Sequence, residues 1–139
     1  MEIARLPTVD EALYLHALLI ERYGGNPGVR DLGLLESALG RARSGYYDSL
    51  SEQAAALLQS LALNHCFIDG NKRMAFALTA IFLELNGFEL SPSDKDAARF
   101  IENDVISGRA SIAKISGWIE KHLSPSLTKS PGERRRGRR

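Results

Sequence analysis

The chain has 139 residues, 44% hydrophobic and 25% charged, with a formal net charge of +1. That length supports one domain with its own core, and that composition excludes a fibrous or wholly disordered chain. A single cysteine, Cys66, excludes an internal disulfide and fits a reducing cytoplasm, and no run approaches the roughly 20 apolar residues that span a bilayer.

The first run, MEIARLPTVDEALYLHALLIERYGG, is interrupted by Glu11, His16 and Glu21 and does not read as a secretory signal. Asp10 is placed to cap a helix carrying Ala12, Leu13, Leu15, Leu18, Leu19 and Ile20, which Gly24-Gly25 ends. After the loop GGNPG, Asp31 opens a second helical run, LGLLESALGRAR. The pattern breaks at SGYYDS, where Gly45, Tyr46 and Tyr47 suit a short flap between the second and third helices. Ser49 and Glu52 have the spacing of a capping box ahead of EQAAALLQSLALNHCF, which is apolar nearly all round and so predicts a buried helix. The run KRMAFALTAIFLELNG is equally apolar and ends at Gly87. Ser93 with Asp96 opens DAARFIENDVISG, closed by Gly108, and Ser111 caps IAKISGWIEKHL. Beyond Pro125 the periodicity stops. With no period-two alternation and no internal repeat, the expectation is an all-α, compact bundle of about six helices. Residues 1–124 read as one domain and 125–139 as a tail disordered by composition.

The small net charge hides an asymmetry. Lys129 to Arg139 holds six basic residues and one acid, so the rest carries twelve basic against sixteen acidic residues. A basic tail ending RRRGRR can bind nucleic acid through phosphates, without sequence preference. No aromatic interleaves with the arginines, so no stacking platform for bases is evident.

The densest polar cluster, NHCFIDGNKR, sits between the two most apolar helices. Taken singly, a histidine in an apolar run is an ordinary satisfied side chain, and Asp-Gly-Asn is an ordinary turn. Together they are costly near a low-dielectric core and need a reason. Asp69, Gly70 and Asn71 fall at a helix N-terminus, whose free N–H groups and dipole favour anions. Gly70 permits positive φ and close approach of a ligand. Asn71 can donate to an oxygen, Arg73 offers a bidentate fork to phosphate and Lys72 a point charge. Asp69 can hold Mg²⁺ whose remaining ligands are phosphate oxygens. Histidine is the side chain that titrates nearest neutrality, so His65 can take a proton from an attacking hydroxyl. A base beside a phosphate cradle is the equipment for moving a phosphate-containing group from a nucleotide to an alcohol.

HCFIDGNKR resembles the signature H-x-F-x-[DN]-[AG]-N-K-R of the Fic/Doc family in its Doc branch, the death-on-curing toxins. RYGGNPGVRDLGLLESALGRAR is similar to the first half of Doc-type toxins, and FLELNGFEL to the segment after their motif helix. The similarity covers about residues 10 to 123. It implies the Fic/Doc helical fold, with His65, Asp69 and Arg73 in catalysis and Gly70, Asn71, Lys72 and Arg73 on the nucleotide phosphates. It also implies Mg²⁺ at Asp69, Phe67 as the buried aromatic that fixes the loop, and Tyr46 and Tyr47 in a flap that docks the target. The Fic branch has G-N-G-R-x-x-R, whereas this chain has Lys72 for the second glycine and Phe76 for the second arginine. Both departures are those of Doc, which implies transfer of the ATP γ-phosphate rather than AMP. The implied protein is the cytoplasmic toxin of a type II toxin–antitoxin pair, a serine/threonine kinase that arrests translation and growth by phosphorylating a threonine of elongation factor Tu. AMP transfer to a protein hydroxyl and non-catalytic binding of nucleic acid or a partner are the alternatives. The family's inhibitory [ST]-x-x-x-E-[GN] pattern is not matched, because Ala98 precedes Glu102-Asn103 where Ser or Thr would stand. Restraint is therefore expected in trans, from an antitoxin segment that folds into a groove of the toxin.

Cys66 reads as a small buried hydrophobe and Trp118 as an anchor of the last helix. His16 and His122 receive no role, and three scattered histidines with one cysteine argue against structural zinc. Arg22 and Tyr23 head the GGNPG loop without an evident mechanism.

Overall fold

The apolar runs fold as six α-helices in the computed structural model, which describes residues 4–126. These are α1 (Val9–Tyr23), α2 (Leu32–Arg43), α3 (Leu50–Asn64), α4 (Asn71–Leu85), α5 (Asp94–Arg99) and α6 (Ile112–Lys121). A π-helical stretch, Phe100–Ser107, continues α5. The basic segment from Lys129 lies outside the described residues.

The starts follow local hydrogen bonding, with two corrections to the expected caps. Thr8, not Asp10, caps α1: its hydroxyl accepts from Glu11 N at 3.1 Å while Glu11 Oε1 accepts from Thr8 N at 2.9 Å. Asp10 is already helical and adds negative charge to the first turn. Ser49 does cap α3, but Glu52 accepts from Asp48 N, one residue before the expected partner, so the box is not reciprocal. Asp31, Ser93 and Ser111 cap as expected.

α3 is the axis of the bundle. Ala54, Ala55, Ala56, Leu57, Leu58, Leu61 and Ala62 are all buried. The alanines carry little side chain, so neighbouring helices can come close. α2 packs on one side through Leu35, Ala38, Leu39 and Ala42, and α6 on another through Ile115 and Ile119. α4 returns alongside α3 and buries Met74, Ala75, Leu78, Phe82 and Leu83. α1 lies across α4, and their outer faces leave an apolar groove of about 480 Å³ where Leu18 and Ile81 are partly exposed. Trp118 stacks flat on Phe100 at 4.2 Å and ties α6 to the π-helical stretch.

The all-α expectation holds, with one small antiparallel sheet that the sequence pattern does not announce: β1 (Phe88–Leu90) pairs with β2 (Leu123–Pro125), Leu90 opposite Leu123. Three residues are too few to display alternation, and the partners are far apart in sequence, so no hairpin signal exists. Residues 44–49 form two bends flanking Tyr46 and Tyr47, with no strand. Tyr47 is held there by Arg41, whose Nε donates to Tyr47 Oη at 2.8 Å and whose Nη1 donates to Gln59 and Ser60 of α3. Tyr46, edge-on to Tyr47, is 81% exposed, whereas Tyr47 is partly buried. No described helix is long and apolar enough to cross a membrane.

Candidate active site

The polar cluster is the turn between α3 and α4. α3 ends on His65, whose backbone is left-handed at φ 52°, ψ 50°. That conformation costs a residue with a Cβ about 1–2 kcal/mol, so its surroundings must enforce it. Arg30 does so: its guanidinium donates to the Asn64 carbonyl at 2.9 Å and to the His65 carbonyl. A cation thus satisfies the last carbonyls of α3, where the helix dipole is negative. The His65 side chain stays exposed at the surface.

The GGNPG loop runs antiparallel beside the turn. Arg30 N and Asp31 N both donate to Cys66 O, and Ile68 N donates to Gly28 O, which sets Val29 opposite Phe67. Phe67 is 1% exposed and its own N–H and C=O point away from that loop. Asn71 takes both: Oδ1 accepts from Phe67 N at 3.0 Å and Nδ2 donates to Phe67 O at 2.9 Å. Closing the turn uses one of the two Nδ2 hydrogens of Asn71 and leaves the other for a ligand oxygen. Its backbone N–H, at the first residue of α4, is available beside it. Asp69 is exposed, and its Oδ2 accepts from Asn26 N at 2.8 Å. A Cβ on Gly25 would come within 3.2 Å of Asp69 Cβ, so a glycine lets the two loops meet there.

Sequence reasoning missed His16. It is 2% exposed, lies flat on Phe67 with ring centroids 3.8 Å apart, and bonds Asp69 O through Nε2 at 2.8 Å. The available signal was its position on the inward face of α1, four residues after buried Ala12. Arg30 and Asn26 were missed because their contacts reach 35 and 43 residues along the chain. Cys66 is buried as expected, and burial pushes its thiol pKa up.

α4 begins at Asn71 with Gly70 as its N-cap residue, left-handed at φ 84°, and no side chain caps it. Its first N–H groups are therefore available to an anion. A left-handed residue followed by a helical one also turns successive N–H groups into one concavity. This end of α4 opens on a cavity of about 700 Å³, within the range of small-ligand sites. Gly70, Asn71, Lys72, Arg73 and Tyr23 line it, and α5 and the π-helical stretch close the far wall with Ala98 and Glu102. Arg73 sits over the Tyr23 ring at 4.2 Å, which gives Tyr23 the role the sequence withheld. Lys72 Nζ pairs with Glu102 Oε2 at 2.9 Å, both side chains more than half exposed. His65 and Asp69 are not part of the cavity wall; they stand on the turn that leads to it. Tyr46 and Tyr47 do not line it either.

Among the described residues no three His, Cys, Asp or Glu side chains converge as a metal site. The lone Asp69 carboxylate, with capacity beyond its bond to Asn26, fits a Mg²⁺ that draws its other ligands from phosphate oxygens and water. It does not fit an ion caged by protein alone.

Comparison with known proteins gives the family. Residues 6–83 match the model of the Fic/DOC family. The chain is 41% identical over 112 residues to "Toxin Doc" of Mycolicibacterium smegmatis, covering 76% of this chain and 86% of the relative. It is 33% identical over 116 residues to "Protein kinase doc" of Escherichia phage P1, covering 81% and 90%. The span matched to the family model contains α1 to α3, the whole turn from His65 to Arg73 and all but the end of α4, and on this ground, with the two Doc relatives, the chain belongs to the Fic/DOC family, as a Doc-type member.

Proposed function

We propose that the protein is a Doc-like toxin kinase that transfers the γ-phosphate of ATP to a hydroxyl of a translation factor, a threonine of elongation factor Tu. The observation that carries this is the uncapped N-terminus of α4, with Lys72 and Arg73 beside it, opening on a ligand-sized cavity at one end of a rigid turn. An exposed histidine stands at the other end. The relative named as a protein kinase supports phosphate rather than AMP transfer. So does Lys72, whose side chain fills space that the Fic glycine leaves open.

In this reading the backbone N–H groups at the start of α4 bind and orient phosphate oxygens, and Lys72 and Arg73 balance their charge. Lys72 must exchange Glu102 for phosphate. Asp69 holds Mg²⁺, which supplies charge neutralisation when bound. His65 accepts the proton of the attacking hydroxyl. The hydroxyl oxygen forms the new bond to the γ-phosphorus, the bond to the bridging oxygen breaks, and ADP leaves. His65 and the phosphate nest occupy opposite ends of the turn, so an acceptor and a donor can approach from different sides. The relative named as a toxin supports a cognate antitoxin acting in trans in a type II pair. An amphipathic antitoxin segment is chemically suited to the groove between α1 and α4.

The test is transfer from ATP labelled at the γ or the α position, with Mg²⁺ and purified elongation factor Tu. Label from γ that disappears in His65→Ala is expected. Label from α alone would replace the kinase with AMP transfer. No transfer to any lysate protein, together with growth arrest that persists in His65→Ala, would favour non-catalytic binding instead.

A further inference from the structure

His16 is a buried polar side chain from α1 that the transfer reaction does not use. Its Nε2 lies 2.8 Å from the Asp69 carbonyl oxygen. A carbonyl oxygen only accepts, so Nε2 carries the proton. The peptide bond from Asp69 to Gly70 is trans, so its C=O and N–H point in opposite directions. Holding the oxygen against His16 therefore aims the Gly70 N–H away from His16. Gly70 is left-handed and Asn71 helical, the pair of conformations that brings the N–H groups of Gly70, Asn71 and Lys72 to one concavity. If that peptide flipped, a carbonyl oxygen would face the phosphate in place of a donor.

The other clamps on the turn act elsewhere. Asn71 holds the Phe67 backbone, and Asn26 holds the Asp69 carboxylate. The Asp69 carbonyl is held by His16, and the ring is in turn fixed by its flat contact with Phe67. We propose that His16 is a positioning residue of the phosphate site: its Nε2–H holds the Asp69–Gly70 peptide in the one orientation that adds the Gly70 N–H to the donors at the start of α4. This rests on the reading that these donors bind phosphate. A filler of apolar space would need only the ring; a positioning residue needs the donor.

Backbone amide spectra of the ¹⁵N-labelled full chain, titrated with inorganic phosphate and with Mg-ADP, separate the two. The Gly70 amide is expected to shift together with those of Asn71 and Lys72. His16→Phe keeps a flat ring on Phe67 and removes the donor. It should weaken phosphate and ADP binding about tenfold or more, the loss expected for one hydrogen bond to a charged group. His16→Gln, which restores an N–H donor without the ring, should recover much of that binding. In transfer assays His16→Phe should raise the KM for ATP more than it lowers kcat, since His65 is untouched. Wild-type affinity in His16→Phe would overturn the proposal. Should that variant not fold, the wild-type protein still decides: imidazole nitrogen shifts must report Nε2–H, and Gly70 must respond to phosphate. A Gly70 amide that stays still while Asn71 to Arg73 move would overturn the role of His16 alone. Amides that all stay still would overturn the phosphate reading itself.

Discussion

Asn71→Ala isolates the clamp that closes the turn. The wild-type amide makes two hydrogen bonds to the backbone of Phe67, at 3.0 and 2.9 Å, and Phe67 is 1% exposed. Each bond contributes about 1 kcal/mol net, and each buried partner left unpaired costs about 1–3 kcal/mol. Asn71 itself is only partly buried, so water can relieve some of that loss. The expected destabilisation is about 2–3 kcal/mol, a large share of the roughly 5–15 kcal/mol that holds a domain of this kind together. With a urea m-value of about 1.5–2 kcal/mol/M, the midpoint should fall by about 1–2 M. Urea unfolding followed by fluorescence of Trp118, the single tryptophan, reads this directly. ATP binding should weaken as well, because the loop that carries Gly70 loses its tie to the core. Asn71→Asp is the companion variant. Its carboxylate can still accept from Phe67 N but sets an oxygen against Phe67 O and a negative charge at the phosphate site, so it should lose nucleotide binding more completely than stability. A midpoint for Asn71→Ala within about 0.3 M of wild type would refute the clamp, since even one lost bond should exceed that.

Four further outcomes follow from the same geometry. His65→Gly and His65→Ala should both lose transfer, but the glycine variant should melt about 3 °C above the alanine variant, because only glycine accepts φ 52° without strain; equal melting points would remove the strain argument. Glu102→Gln frees Lys72 from an exposed ion pair worth less than about 1 kcal/mol, so calorimetry should show ATP binding tighter by up to about fivefold, with the difference shrinking at high salt. Tyr23→Leu takes away the ring 4.2 Å beneath Arg73 and should weaken ATP binding about two- to fivefold, the worth of an exposed cation–π contact, while leaving unfolding by urea nearly unchanged. Burial raises the Cys66 thiol pKa, so above the ordinary thiol value of about 8.5 the unfolded chain releases a proton that the folded chain keeps. The contribution of Cys66 to stability is complete below that pH and declines as pH rises toward the folded value, and Cys66→Ala should flatten the alkaline limb of a stability–pH curve.

Most of the fold was legible because helices announce themselves locally. The 3.6-residue apolar period, the caps Asp31, Ser93 and Ser111, and the stop at Gly87 depend on neighbours within one turn, and all are found where the sequence sets them. The turn from His65 to Arg73 was legible for the same reason: it is one contiguous run at a helix junction, with a family signature written in it. The sheet was not, because Leu90 and Leu123 are separated in sequence by α5 and α6 and no local pattern links them. Nor were the partners that make the turn a site. That Asn71 holds Phe67 is decided by which backbone groups the GGNPG loop leaves unpaired. Whether His16 is filler or a clamp depends on α1 crossing the turn, and Tyr23 matters only because α4 brings Arg73 over its ring. The helices, the motif and the chemistry its residues offer are legible along the chain, since they rest on local bonds and residue type. Which of those groups hold the turn and which remain for a ligand follows from the packed fold, because much of that assignment belongs to contacts between residues tens of positions apart.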